Sequence, residues 1–394
     1  MKKLNQLSRI ILGIVFIFSG FVKAVDPLGS MYKFNDYFTA FGLEFLSVLA
    51  FPLAVLLSSL EFVIGFSLLF ATRRKITAWV TLLFMAFFTI LTFFLAIFNP
   101  VSDCGCFGDA IIMTNWETFW KNVVLMIFTL VIFFNRDRYE VKWKKQKQWI
   151  IISIPFIFSV LLSWYCYLNL PVLDFRPYRV GTHIPEKMII PEEAPKAEYE
   201  TVLLYEKEGE IREFTLDNLP DSSWQWVETK NILIQEGYVP PIHDFSIQTP
   251  NGNDITDIVL NDSKFTFLMI AYDLSKANTD NIDQINELAE YCKTSAKCNF
   301  ICLTASVESV IHDFKEETGA PYMFYATDEI TLKTIVRANP GIVLIRQGTI
   351  LEKWHHRNIP AIKELEKEYF LNPNHQPDHK KPAGEVLANI GNQI

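Results

Sequence analysis

Residues 76–98 read ITAWVTLLFMAFFTILTFFLAIF, an uncharged run that is rich in phenylalanine. As a helix it would rise about 34 Å, enough to cross the roughly 30 Å hydrocarbon core of a bilayer. Four more segments, near 8–25, 44–71, 117–134 and 149–169, are similarly long and apolar, so five transmembrane helices are expected. The rest of the 394-residue chain is different: 171–394 has the composition of an ordinary, slightly acidic soluble domain. The whole-chain averages, 50% hydrophobic and 20% charged, blend these two halves. They exclude a disordered protein, a collagen-like fibre and a disulfide-dense mini-domain. A net charge of −8 argues against a nucleic-acid partner and leaves the lipid bilayer as the evident one.

Charge in the connecting loops sets the expected orientation. Lys2, Lys3 and Arg9 precede or open the first segment, and Arg73, Arg74 and Lys75 join the second to the third. Arg136, Arg138, Lys142, Lys144, Lys145 and Lys147 join the fourth to the fifth, whereas the alternate loops hold only Lys23, Lys33 and Lys121. The positive-inside rule then places the N-terminus in the cytoplasm and everything after residue 170 outside. That geometry corresponds to a bacterial inner membrane with a periplasmic C-terminal domain. The first segment also has a cleavable signal peptide's form, with Val22-Lys23-Ala24 as the cleavage site. The Lys there is unfavourable for cleavage, and Gly13, Ser19 and Gly20 suit close helix packing, so a retained helix is expected.

Two ionisable residues fall inside these segments. Lys23 lies about 21 Å of helix rise beyond Arg9, and Glu61 about 18 Å before Arg73, so their depths match. A buried Lys23–Glu61 pair is one reading. The other has Lys23 snorkelling to the interface and Glu61 solvated beside Ser58 and Ser59.

The loop after residue 98 contains Asp103-Cys104-Gly105-Cys106-Phe107-Gly108-Asp109. On the oxidising side of a membrane two such cysteines can pair. A bridge from i to i+2 restrains almost no chain entropy, so stability is a poor reason for it. Strained, exposed disulfides tend to be the labile, catalytic ones. Three readings stand: a redox pair at Cys104 and Cys106, a soft-metal site using both sulfurs and a carboxylate, and idle thiols. Either thiol could be the attacking one. Asp103 would oppose ionisation of a neighbouring thiol by like charge. Lys23, Glu61, Asp103 and Asp109 are the expected supporting residues.

The first-helix Gly13, Ser19, Gly20 and Lys23, second-helix Glu61 and the Cys104-Gly105-Cys106-Phe107-Gly108 loop together resemble the MauE branch of the DoxX-like membrane proteins, over about residues 5–140. The resemblance implies a four-helix membrane bundle followed by a fifth transmembrane helix. It also implies a thiol–disulfide role for Cys104 and Cys106, because members of that branch are associated with maturation of methylamine dehydrogenase, a disulfide-bearing periplasmic enzyme. The bundle is similar as well to the membrane unit of vitamin K epoxide reductases, which would imply a quinone as electron partner; their cysteines are two residues apart, here one. The sequence itself shows no cofactor motif.

Residues 1–140 are therefore read as the membrane bundle, 141–170 as the fifth helix and 171–239 as a proline-bearing linker with a small β-rich piece. Residues 240–370 would be an α/β domain and 371–394 a polar, disordered tail. Trp164, Tyr165 and Tyr167 would anchor the fifth helix at the interface. Strands at 200–206 and 210–216 would form a hairpin. Strands at 265–272 and 299–304, helices at 282–292 and 307–318, and a hairpin of 342–346 with 350–354 give a β-α-β-α-β-β order. With Pro241-Ile242-His243-Asp244-Phe245 before it and Asn339-Pro340 before the hairpin, this resembles a thioredoxin-like domain of extracytoplasmic thiol reductases. That likeness implies a cis proline at Pro340 and partner binding at Asn339 and Pro340. The family's Cys-x-x-Cys position holds Asp273-Leu274-Ser275-Lys276, so ordinary dithiol exchange is excluded there, and Asp273 and Ser275 read as helix caps.

Cys292 and Cys298 are candidates for a structural disulfide, Cys302 for the core and Cys166 for an idle thiol. His355-His356 is expected at the surface, and no Cys or His spacing matches a zinc site. The leading expectation is an inner-membrane thiol–disulfide oxidoreductase or electron relay acting on an unidentified periplasmic protein. A non-enzymatic membrane scaffold and a metal-handling protein are the competing classes.

Overall fold

A computed structural model describes residues 2–101, 103–137, 143–196, 198–207, 209–235 and 237–371. Arg138 and Lys142 of the basic loop, and the tail from 372 onward, lie outside the described residues. Five helices are long and apolar enough to cross a membrane: α1 (Lys2–Val25), α3 (Ala50–Leu69, entered through a 3-10 turn), α4 (Arg74–Phe98), α5 (Asn115–Phe134) and α6 (Lys145–Leu168). Between the first two lies α2 (Pro27–Ala40), a 14-residue helix that the apolar pattern does not announce. Asp26 caps it by accepting a hydrogen bond from Gly29 N at 2.9 Å, and Pro27 starts it.

α1 and α3 pack closely because their facing positions are small. A Cβ added to Gly20 would sit 2.7 Å from the backbone of Ser58 and Phe62, and one on Gly65 2.7 Å from Ile17 N. Backbone cannot yield as a flexible side chain does. Gly20→Val is therefore expected to lower stability by about 1–3 kcal/mol, read as a fall in Tm of the detergent-solubilised protein; an unchanged Tm would refute this packing account. Helix α5 opens on a capping box, in which Thr114 Oγ1 accepts from Glu117 N and Glu117 accepts from Thr114 N.

After α6 come α7 (Ile184–Met188), β1 (Glu198–Lys207), β2 (Glu210–Thr215) and β3 (Gln225–Gln235). The three strands form an antiparallel sheet of order β2-β1-β3, the expected hairpin plus one strand more. Then follow α8 (Thr256–Leu260), β4 (Phe265–Ile270), α9 (Ile282–Thr294), β5 (Cys298–Thr304), α10 (Glu308–Thr318), β6 (Met323–Ala326), α11 (Glu329–Ile335), β7 (Gly341–Arg346), β8 (Thr349–His355) and α12 (Ile362–Leu365). Their sheet has the order β6-β5-β4-β7-β8. The first three strands run parallel, and β7 and β8 antiparallel to their neighbours. Every residue of β4 is buried, and an apolar cluster covers each face of the sheet. This is a mixed thioredoxin-like sheet, and the Asn339–Pro340 bond before β7 is cis. β6 and α11 were not expected from the sequence; both are short, at four and seven residues, and carry little periodicity.

Two expectations need correction. The segment read as the start of a linker belongs to the α/β domain: Tyr178 and Ile184 are core residues, and Gly181 N and Ile350 N exchange hydrogen bonds with the Ile350 and Thr182 carbonyls. Lys353 and Arg176 both pair with Asp174, at 3.0 and 2.7 Å, which fixes the segment electrostatically. His355 and His356, expected at the surface, are 4% and 5% exposed. β8 ends beneath the cis-proline loop, where His356 Nδ1 donates to the Pro340 carbonyl at 3.1 Å and His355 Nδ1 accepts from Arg357 N. Burial pushes both imidazoles toward the neutral form. Cys302 is a fully buried core residue, and Asp273 caps a short turn by accepting from Ser275 N.

Candidate functional site

The Cys-Gly-Cys loop lies between α4 and α5, at the end of the bundle that α2 covers. Gly105 and Gly108 have φ of +64° and +51°, values a β-carbon disfavours, so both glycines are needed for the turn. Cys104 Sγ and Cys106 Sγ are 3.1 Å apart; Cys104 is buried and Cys106 partly so.

Three cations hold this loop, each at a different point. Lys23 donates to Glu61 at 2.9 and 3.1 Å, to Ser19 Oγ at 2.7 Å and to the Cys106 carbonyl. Ser19 Oγ donates to the same carbonyl at 2.7 Å. The paired reading of Lys23 and Glu61 is the one the structure adopts, with side chains 6% and 7% exposed. Lys33 on α2 pairs with Asp103 at 2.6 Å, while Asp103 Oδ1 accepts from Gly105 N. Asp103 is thus turned toward a cation and a backbone N–H. Arg337, from the α/β domain, reaches Asp109 at 3.0 Å. Tyr37 OH completes the frame by donating to the Cys104 carbonyl at 2.9 Å.

The two thiols are electrostatically unequal. Cys106 is shifted down from the ordinary thiol range, first by the hydrogen bond from Cys104 and then, against burial, by Lys121 and Lys23. Cys104 is shifted up by the same hydrogen bond, by burial and by the negative charge on Cys106. The surroundings therefore favour ionisation at Cys106 over Cys104, with Lys121 and Lys23 as the cations that tip the pair.

Both cysteines line a cavity of about 250 Å³ whose walls include Phe16, Phe34, Phe38, Phe84 and Phe88, with Lys23, Lys121 and Asn122 as polar neighbours. Phe41, Phe87 and Leu91 are shared between it and a shallow apolar recess that Ile90 and Phe94 continue across the face of α4. Phe87 and Ile90 are 62% and 70% exposed on this membrane-spanning helix, so the route leads to lipid. A second cavity, about 230 Å³, lies between the loop and the α/β domain. Asp26, Lys33, Asp103, Asp109 and Arg337 line it, and Gly105 touches it, but neither cysteine does.

Residues 1–135 match the family model described as methylamine utilisation protein MauE. The MauE match thus covers α1 to α5 and the whole Cys-Gly-Cys loop. A second model, of a domain of unknown function, matches residues 199–236, the three-stranded sheet. Among solved structures the chain is similar to a protein assigned as a thioredoxin from Neisseria meningitidis, at 17% identity and a TM-score of 0.28. That match covers 35% of this chain and 95% of the other. A protein assigned as a disulfide isomerase from Bacteroides thetaiotaomicron follows at 18% identity and TM-score 0.26, covering 32% and 82%. A thioredoxin-like protein from Aeropyrum pernix gives 14%, 0.25, 32% and 86%. Comparison with curated proteins gives no match.

The remaining candidates fall elsewhere. Cys292 and Cys298 come together with sulfurs 2.7 Å apart. Asn339 donates to the Asp273 carbonyl, within its own domain. Cys166 is buried near the end of α6. Among the described residues no group of three His, Cys, Asp or Glu gathers as a metal-ligand set. Lys121, Tyr37 and Arg337 had no place in the sequence reading of the site. Lys121 had a signal, a lone cation near the start of an apolar helix.

Proposed function

We propose that the chain is a membrane thiol–disulfide oxidoreductase in which Cys104 and Cys106 relay electrons from an extracytoplasmic protein dithiol to a lipid-soluble quinone. The observation that carries this reading is the close Cys104–Cys106 sulfur pair on the wall of an aromatic cavity that leads to lipid. The setting is a bacterial inner membrane with the N-terminus cytoplasmic and the α/β domain periplasmic, as the loop charges imply. The relay would support maturation of disulfide-bearing extracytoplasmic proteins.

The chemistry balances in two half-reactions. A substrate thiolate attacks Cys106 Sγ of the loop disulfide; the S–S bond breaks and Cys104 leaves, taking a proton. The second substrate thiolate then attacks the substrate sulfur of the mixed disulfide and releases Cys106 as a thiolate, a leaving group stabilised by Lys121 and Lys23. The substrate has lost two electrons and two protons. The loop, now a Cys104 thiol and a Cys106 thiolate, passes two electrons and the Cys104 proton to the quinone. The second proton comes from solvent, the quinone becomes quinol and the disulfide re-forms. Cys292 and Cys298 take no part and form a structural bridge in the α/β domain.

Purified chain in nanodiscs, given a dithiol peptide and a short-chain quinone, is expected to reduce the quinone, followed by loss of its ultraviolet band. Quinone reduction at the same rate by a Cys104→Ser, Cys106→Ser double variant would overturn the proposal.

A further inference from the structure

The α/β domain touches the bundle with the end where a thioredoxin-like fold keeps its cis proline. Tyr272, two residues after β4, meets Tyr32 of α2 with hydroxyls 3.4 Å apart. Arg337, three residues before Pro340, is 6% exposed at its side chain and lies between two bundle carboxylates, Asp26 at 2.9 Å and Asp109 at 3.0 Å. Asp26 belongs to the α1–α2 junction and Asp109 to the Cys loop, three residues after Cys106. A Cβ on Gly29 would stand 2.8 Å from Arg337 Nη2, so α2 leaves space for the guanidinium.

We propose that Arg337 is a positioning residue for the Cys-Gly-Cys loop, so that the α/β domain serves the redox pair of its own chain. This inference rests on the redox reading for its purpose but not for its test. The loop is fixed at the Cys106 carbonyl by Lys23 and at Asp103 by Lys33, both from the bundle. The third point, Asp109, is held by Arg337 from outside the bundle, and the segment from Cys106 to Asp109 includes the left-handed Gly108. Burial raises the Asp109 carboxyl, Arg337 opposes that rise, and Asp26 adds to it. Without Arg337 two partly buried carboxylates would face each other across one site, and the loop would shift to hydrate Asp109 further. Cys106 would then turn from the aromatic cavity toward the polar one.

The test is peptide-resolved alkylation of Cys106 by a charged, membrane-impermeant maleimide in the full chain. Arg337→Gln is expected to raise the Cys106 rate at least fivefold, and Arg337→Lys to restore it to within twofold of wild type. Asp109→Asn removes the carboxylate that would seek water while Arg337 keeps Asp26, so its rise should be smaller than that of Arg337→Gln; a larger one would overturn the proposal. Arg357→Gln cuts a different tie of the domain, to the Leu168 carbonyl at 3.3 Å, and should leave the rate unchanged. Equal rates for Arg337→Gln and wild type overturn the proposal. So does an equal rise in Arg357→Gln, because general undocking would then be the cause. Failure of the redox reading would appear in the quinone assay and would not move these rates.

Discussion

Cys106→Ser is expected to abolish thiol exchange, whereas Cys104→Ser should yield a chain that reacts once with a disulfide and stalls. The asymmetry follows from the environments of the two sulfurs. Cys106 is partly accessible and shifted toward thiolate; Cys104 is buried and shifted toward thiol. With Ser at 104 the Cys106 thiolate can attack a peptide disulfide, and no second sulfur is left to resolve the adduct. A mixed disulfide should therefore accumulate on non-reducing gels with Cys104→Ser and be absent with Cys106→Ser. Turnover should fall by about 10³-fold or more in either, as expected when one member of a unit that acts together is removed. The reverse pattern would exchange the two roles; adducts with both or neither would remove the asymmetry. The pH profile gives an independent check. A depressed thiol stays ionised on acidification, so Cys106 alkylation in the wild-type chain should have its midpoint at least one unit below the free-cysteine value of about 8.5. In Cys104→Ala the largest stabilising contact is gone, and the midpoint should move up. The gain in rate near neutral pH will be smaller than the gain in thiolate, because nucleophilicity falls with thiol pKa.

How much of this was legible in the sequence depends on how far the partners stand apart along the chain. Membrane helices announce themselves by uncharged runs. Lys23 and Glu61 could be paired by counting helix rise from basic loops, although 38 residues separate them. Cys104 and Cys106 are adjacent in one motif. By contrast, Arg337 meets Asp26 across 311 residues and Asp109 across 228, and no local pattern distinguishes it from any other surface arginine. The buried His355 and His356 went unread for the same reason: strand alternation says nothing about a loop that returns to cover both. Helix α2 had a usable signal in Asp26-Pro27, a cap followed by a first-turn proline, but its mixed composition masked it beside five apolar helices. The aromatic cavity required α1 to α5 and the Cys loop at once.

The largest effect on stability is expected at Lys23 and Glu61. Breaking a buried pair by removing one partner leaves the other charge without compensation and costs about 3–5 kcal/mol. For a membrane unit of this size that is a fall of roughly 10 °C in Tm, readable from intrinsic tryptophan fluorescence of the detergent-solubilised chain. Lys23→Met should show it in full, because Glu61 then loses the cation that pairs with it. Glu61→Gln should lose less, since Lys23 retains Ser19 Oγ and the Cys106 carbonyl as acceptors. Removing both charges in Lys23→Met, Glu61→Gln should recover most of the lost stability, because a buried ion pair is often replaceable by uncharged groups at little net cost. Function should not return with stability. The double variant removes one charge that favours the Cys106 thiolate and one that opposes it. It still lacks the ammonium that holds the Cys106 carbonyl, so Cys106 reactivity should stay below wild type while the fold is restored. If stability and reactivity recover together, the pair is structural. If the double variant is as unstable as Lys23→Met, Glu61 is not the partner whose burial Lys23 compensates.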